Sequence, residues 1–272
     1  MIPFKNNFVP EISHFEIKDH YTVFYTVTGR SGVIFLFPGL DLEAKDSEAR
    51  SKSIFDLMRD LPVWCEARWI VNAQNEFDSH LPYSRKIAIN DLGYLSKRTY
   101  LALEWDTQAS ASRVLRSNKK LDELNLSQII ALGGECLREG QITGFFFGKL
   151  KTKVGTLSHG LDFGDHVTGL VRIYQPGTSL MSQETLAKLM EEIPLPYSAQ
   201  LHCRKISKEK ADLQVRAKKN QSHLIEDAVT SEKEAALDHI IKEISLQGAS
   251  LFEMEWLLIL KRDSERGRLQ LS

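Results

Sequence analysis

What most restricts this chain is a set of landmarks met twice in one order. A strand stopping at Pro38-Gly39 precedes a helix closing at "LMRDLP" (Leu57 to Pro62). Later, a strand stopping at Pro176-Gly177 precedes a helix closing at "LMEEIP" (Leu189 to Pro194). Three further pairs keep the same order: Gly32 with Gly169, Cys65 with Cys203, and "YLALEW" with "LFEMEW". The pattern predicts an internal duplication of a β-α-β-(α)-β unit, against the competing explanation that two α/β stretches match by chance. Such a unit covers one sheet face and needs a neighbour for the rest, so two copies are expected to pack as a pseudo-symmetric pair. The fold class expected is α/β (α+β), with mixed sheets covered by helices. The boundaries expected are 1–124 for the first unit, 125–165 for a helix and connector, and 166–272 for the second, together one compact domain.

Periodicity supplies the elements. Tyr21–Thr28 and Val33–Phe37 are rich in β-branched and aromatic residues about a glycine-bearing turn, which predicts a hairpin. Ile54, Met58 and Leu61 recur at helical spacing, placing a helix at 47–61 that Pro62 ends. Strands are expected at Val63–Val71 and Thr99–Trp105, with a less regular stretch at Pro82–Gly93 between them. In the second pass, Val167–Gly177 is a strand, and Ser182 caps a helix with Leu186, Leu189, Met190 and Ile193 on one face. Tyr197–Ile206 is a strand, followed by a long helical region, 208–247. Within it, Ser231 and Glu234 form a capping box ahead of a stripe of Leu237, Ile240, Ile241 and Ile244. Leu251–Leu260 closes the unit as a strand. Asn125–Gln141 is expected as one helix, and Lys149–His166 as a glycine-bearing connector.

Composition narrows the class. With 272 residues, 42% hydrophobic and 26% charged, the chain has enough apolar side chain for its own core. A formal charge of -1 excludes a global field that draws in nucleic acid or an anionic membrane. Cys65, Cys136 and Cys203 are isolated and odd in number, which fits a reducing compartment and gives no metal clip. No secretory signal is read at the start. Runs such as "VIFLF" and "LLIL" are too short to span a bilayer, so a cytoplasmic address is expected.

Chemistry-bearing motifs are sparse. "TGFFFGKL" (Thr143 to Leu150) resembles a phosphate loop, but Gly144 and Gly148 are one residue too close and Leu150 stands where magnesium needs a hydroxyl. Its three phenylalanines predict buried strand. "SHGLDFGDH" gathers His159, Asp162, Asp165 and His166 without the spacing of a zinc or calcium loop, so an exposed turn is favoured. His202 and Cys203 on a strand point to opposite faces and make no dyad. "CRKISKEKADLQVRAKKNQ" is basic but lacks interleaved aromatics and carries Glu209 and Asp212, which favours a solvated helix face over a phosphate grip.

At "GVIFLFPGLDLEAKDSEARSKSIFDLM", and again at "AKKNQSHLIEDAVTSEKEAALDHIIKEISLQGASLFEMEWLLILKRD", the chain resembles the N-terminal region of type IV secretion and conjugative-transfer ATPases of the CagE/TrbE/VirB group. The shared features are a strand ending in "GLD" before a helix, a "PG" strand with a short helix ending at Pro194, and a long charged helix before a closing strand. The resemblance implies an N-terminal α/β domain ahead of a RecA-like motor that carries the P-loop, ATP and magnesium. It also implies peripheral attachment to the inner membrane through channel proteins, and self-association through a hexameric or dimeric motor. The expected function is a non-catalytic docking and assembly domain with no cofactor or metal of its own. Trp64, Arg68, Trp69 and Arg204 are the interaction candidates. Two alternatives stay open: a nucleic-acid-handling module using the basic helix, and a small-molecule enzyme with a site at His159–His166.

Overall fold

The computed structural model describes residues 12–18, 20–37, 47–74, 96–107, 113–147, 155–157, 160–162, 166–173, 193, 196–222, 228–244 and 249–263. Among them, eleven strands form one sheet. In chain order these are β1 (Ile12–Ile17), β2 (Thr22–Thr26), β3 (Arg30–Phe37), β4 (Glu66–Gln74), β5 (Ser96–Asp106), β6 (Glu135–Cys136), β7 (Gly155–Leu157), β8 (Gly160–Asp162), β9 (His166–Ile173), β10 (Tyr197–Lys205) and β11 (Phe252–Asp263). Ten lie side by side in the order β1-β2-β3-β5-β4-β10-β11-β9-β8-β7, and the short β6 pairs with β3. The class is α+β. Every described pair is antiparallel, so the expectation of mixed sheets is corrected. An antiparallel pair can be closed by a tight turn, as β2–β3 is at Gly29, whereas a parallel pair needs a longer crossover.

The strand order is its own mirror: β1-β2-β3-β5-β4 runs inward from one edge and β7-β8-β9-β11-β10 inward from the other. Duplication is therefore visible in the topology, and the ladder allows it to be checked residue by residue. Aligning Pro62 with Pro194 puts Trp69 on Leu201, and these two are already cross-strand partners, so a pseudo-twofold passes between them. Outward from there, Trp69 faces Leu101 and Leu201 faces Trp256; Leu101 faces Phe35 and Trp256 faces Ile173. Phe35 and Ile173 each stand three residues before a Pro-Gly pair, so the proline landmarks agree with a register they did not set.

The other three landmarks shift. Gly32 is equivalent to Leu170 and not Gly169, Cys65 to Tyr197 and not Cys203, and Trp256 to Leu101 and not Trp105. Proline holds its place in a sequence because it cannot continue a helix or a central strand. An isolated glycine, cysteine or tryptophan has no such positional duty.

Six described helices accompany the sheet: α1 (Ser47–Asp60), α2 (Arg113–Glu123), α3 (Leu126–Ala131), α4 (Glu139–Phe147), α5 (Lys208–Ser222) and α6 (Ala228–Lys242). On one face of the first half, Val33, Phe35, Ala67, Leu101, Leu103 and Trp105 pack with Leu57 of α1, Leu121 of α2 and Ile129 of α3. On the other face, Phe24, Ile34 and Ala102 pack with Leu137 and with Ile142 of α4. Both faces of β3 are thus covered, which is why "VIFLF" is an uninterrupted apolar run. Trp105 is fully buried and its indole N–H donates to Ser117 Oγ of α2 at 3.3 Å, satisfying both polar groups.

Residues 125–141 do not form the single helix expected. Gly133 takes φ +87°, its N–H donates to Ile130 O, and the Gly134 N–H donates to Ile129 O. This pair of bonds is a Schellman ending, and it terminates α3. The segment from Thr143 to Phe147, expected as strand, lies in α4. Gln141 accepts the Arg138 N–H at 2.9 Å as a capping side chain, and Ile142 anchors the helix on the sheet; packing and capping together override the β preference of three phenylalanines. Gly148 to Leu150 lie outside the described residues, as do Pro82–Gly93 and the helix expected at 182–192.

The remaining differences are local. The 149–166 connector contains β7 and β8, and β1 and α2 carried no clear periodic signal. The long helical region is two helices, and α6 begins at Ala228, so Ser231 lies inside it and does not cap it. Leu237, Ile241 and Ile244 join Ile206, Ala211 and Val215 in a small core shared by α5 and α6, while Ile240 is exposed. No described helix is long and apolar enough to cross a membrane.

Candidate functional site: an ion cluster across the seam

Strand alternation places Arg30 on β3, Glu104 on β5, Glu66 and Arg68 on β4, and His202 and Arg204 on β10 on one face of four adjacent strands. Glu66 stands directly opposite Glu104 on one side and Arg204 on the other. Two facing carboxylates repel unless cations are interposed, and here they are. The Arg30 guanidinium contacts Glu66 and lies 3.3 Å from Glu104, while Arg68 lies 3.5 Å from Glu104. His202 Nε2 is 3.4 Å from Glu66, and Arg204 Nη1 is 4.0 Å from it. Glu66 therefore joins the two halves of the sheet.

The electrostatics follow from this geometry. The His202 contact is the largest influence on Glu66 and, with Arg30 reinforcing it against the opposing effect of burial, holds the carboxyl at about 2. Burial pulls the Arg30 guanidinium down, but Glu104 and Glu66 outweigh it and raise it overall. A cluster of this kind has fixed, partly desolvated charge, so it can set register and orient a partner group.

The four interaction candidates separate onto two faces. Arg68 and Arg204 belong to the cluster, Arg204 being its most exposed member. Trp64 and Trp69 lie on the face packed by α1, α2 and α3. Trp64 donates to Glu123 Oε2 at 3.1 Å, meets Trp105 edge-on with centroids 6.2 Å apart, and has Lys120 Nζ 5.0 Å from its ring. Trp69 packs against Phe37 at 5.5 Å and donates towards Met58 Sδ at 3.5 Å.

Arg30, Glu66 and Glu104 are not marked by any sequence motif, and His202 is marked only as the neighbour of Cys203. The available signal was a charged residue alternating with apolar ones in "EARWIV", "LALEW" and "LHCRK", but which charges meet depends on strand register.

The other sequence candidates are placed as follows. Asp162 ends β8 and His166 opens β9, while His159 and Asp165 lie outside the described residues. Among the described residues no group of three or more His, Cys, Asp or Glu is arranged to hold a metal. On the basic helix, Arg216 pairs with Asp212 at 2.7 Å and Lys219 with Asp238 at 2.5 Å, and Lys210 reaches Glu253 of β11 at 2.9 Å. These acids neutralise three of the cations a phosphate backbone would need.

His202 and Cys203 do point to opposite faces: His202 faces Glu66, and Cys203 is buried beside Ala67. Burial pushes the Cys65 thiol up to about 12 and Cys203 up to about 11, and raises Cys136 as well. A thiol held protonated is a poor nucleophile. The folded protein is expected to leave all three cysteines unlabelled at pH 8 on the time scale in which the denatured chain titrates completely; fast labelling of Cys65 or Cys203 in the folded state contradicts this.

No protein-family model matches the chain, and no curated protein matches it.

Proposed function

We propose that this chain is a non-catalytic docking and assembly domain of a type IV secretion or conjugation ATPase, joining the motor to inner-membrane channel components and to neighbouring subunits. The observation that carries the docking part is a helical pair with its own small core. Between β10 and β11 lie the α5 and α6 helices, whose apolar contacts are made with each other and with Ile206 and Leu251. That pair exposes Leu213 at 68% and Ile240 at 37%, apolar side chains with no evident duty in the sheet. An appended helical pair with its own core suits attachment to another protein, with exposed apolar residues as anchors. The sequence resemblance supplies the identity of the system, with peripheral placement at the inner membrane through partners.

The test is binding of the purified chain to purified inner-membrane channel subunits of a type IV system. Leu213→Asp and Ile240→Asp together are expected to weaken binding at least about tenfold, the loss of roughly 1.4 kcal/mol, without moving the thermal transition. Binding that is unchanged in the double variant removes the helical pair from the interface. Specific ATP hydrolysis by the chain alone removes the non-catalytic reading.

A further inference from the structure

The pseudo-twofold at Trp69 and Leu201 allows each residue of the ion cluster to be compared with its counterpart in the other half. Glu66 corresponds to Ser198 and Arg68 to Gln200; Glu104 corresponds to Ile259 and Arg30 to Thr168. Across the seam, His202 corresponds to Ile70 and Arg204 to Asn72. One end of the β4–β10 seam is therefore charged, where Glu66 meets His202 and Arg204. The symmetry-related end is neutral, where Ser198 faces Asn72 and Gln200 faces Ile70. The backbone ladder is the same at both ends, so the fold does not need the charges in order to hydrogen-bond the seam.

An antiparallel ladder that is symmetric about Trp69 also permits a different pairing. If β4 met β4 of a second copy, Trp69 would face Trp69, Glu66 would face Asn72 and Arg68 would face Ile70. If β10 met β10, Leu201 would face Leu201 and Arg204 would face Ser198. The backbone would be satisfied in both cases, but Glu66 would lose His202 and Arg204 and remain opposite Glu104 with Arg30 as its cation. We infer that the charged end of the seam directs β4 to β10 and excludes β4 of a second copy. The β4 and β10 strands are thus a latent self-association surface, and Glu66, His202 and Arg204 keep it closed. Buried polar groups that fix register and partner choice in this way are the best-attested use of such pairs.

The experiment makes the seam symmetric in the full chain by giving cluster residues the identity of their counterparts: Glu66→Ser, Arg68→Gln, His202→Ile and Arg204→Asn together. Arg30 and Glu104 remain as a balanced pair. Two differently tagged copies are co-expressed, and the mixed-tag fraction is measured after purification, with sedimentation giving the mass. The fourfold variant is expected to raise the mixed-tag fraction on the order of tenfold over the parent, and a Trp69→Cys substitution in it to give a disulfide between chains on mild oxidation. A folded variant with an unchanged mixed-tag fraction overturns the inference, as does mixing without the disulfide at position 69. If the fourfold variant does not fold, His202→Gln with Arg204→Asn decides in its place. A rise in mixing supports the inference, and no rise overturns it.

Discussion

Gly32→Ala is expected to lower the unfolding free energy by about 2–4 kcal/mol, at the upper end of overpacking costs. A Cβ on Gly32 would lie 2.5 Å from the Leu103 carbonyl oxygen and 2.7 Å from the Phe24 ring. The two obstacles differ in stiffness. A phenyl ring can turn about its side-chain bonds, whereas the Leu103 carbonyl belongs to the β3–β5 ladder, with Val33 opposite Leu103 and Gly32 opposite Glu104. The backbone clash should therefore dominate, so Phe24→Ala added to Gly32→Ala will not restore stability and will add its own cavity cost. Urea unfolding of the two single variants and the double variant measures this. Full recovery in the double variant would show the ring to be the obstacle, and a Gly32→Ala protein as stable as the parent would refute the close approach itself.

The second large effect concerns Glu66. Its carboxyl is held at about 2, below the ordinary glutamate value of 4.5, so the folded state binds that proton less readily than the unfolded chain does. The stabilisation is complete above the unfolded value and is lost as pH falls from about 4.5 towards 2. At 1.36 kcal/mol per unit, discounted for partial exposure, Glu66 contributes about 2–3 kcal/mol at neutral pH. Glu66→Gln should remove this contribution at pH 7 and flatten the corresponding part of the acid limb. The groups facing it are Arg30 from β3, Glu104 from β5, Arg68 on β4, and His202 and Arg204 from β10. Unfolding free energies at several pH values between 2 and 7 test this. Parallel curves for parent and variant through that window would show that Glu66 is not held by its partners.

The elements were legible where local rules act alone. Pro62 ended α1, Gly29 at φ 88° closed the β2–β3 turn, and the apolar alternation of "TYLALEW" marked β5. The duplication was legible because proline boundaries survive as sequence landmarks. Reading failed where two local rules competed or none applied. The phenylalanines of Thr143–Phe147 favoured a strand until Ile142 and a capping Gln141 made a helix, and the three-residue strands β7 and β8 are too short to show a period.

The site divides along the same line. Arg68 and Arg204 stand out as charges in strands and His202 as the neighbour of Cys203, but their meeting with Arg30, Glu66 and Glu104 is not legible, because the cluster is drawn from four strands distant in the chain. By itself the sequence determined that strands and helices recur in a repeated order, since periodicity and proline positions are local properties of the chain. Only the tertiary structure decided that every described strand pair is antiparallel, that the repeat closes on itself between Trp69 and Leu201, and that charge collects at one end of that seam. Those outcomes depend on register, and shifting a strand by one residue sends each side chain to the opposite face.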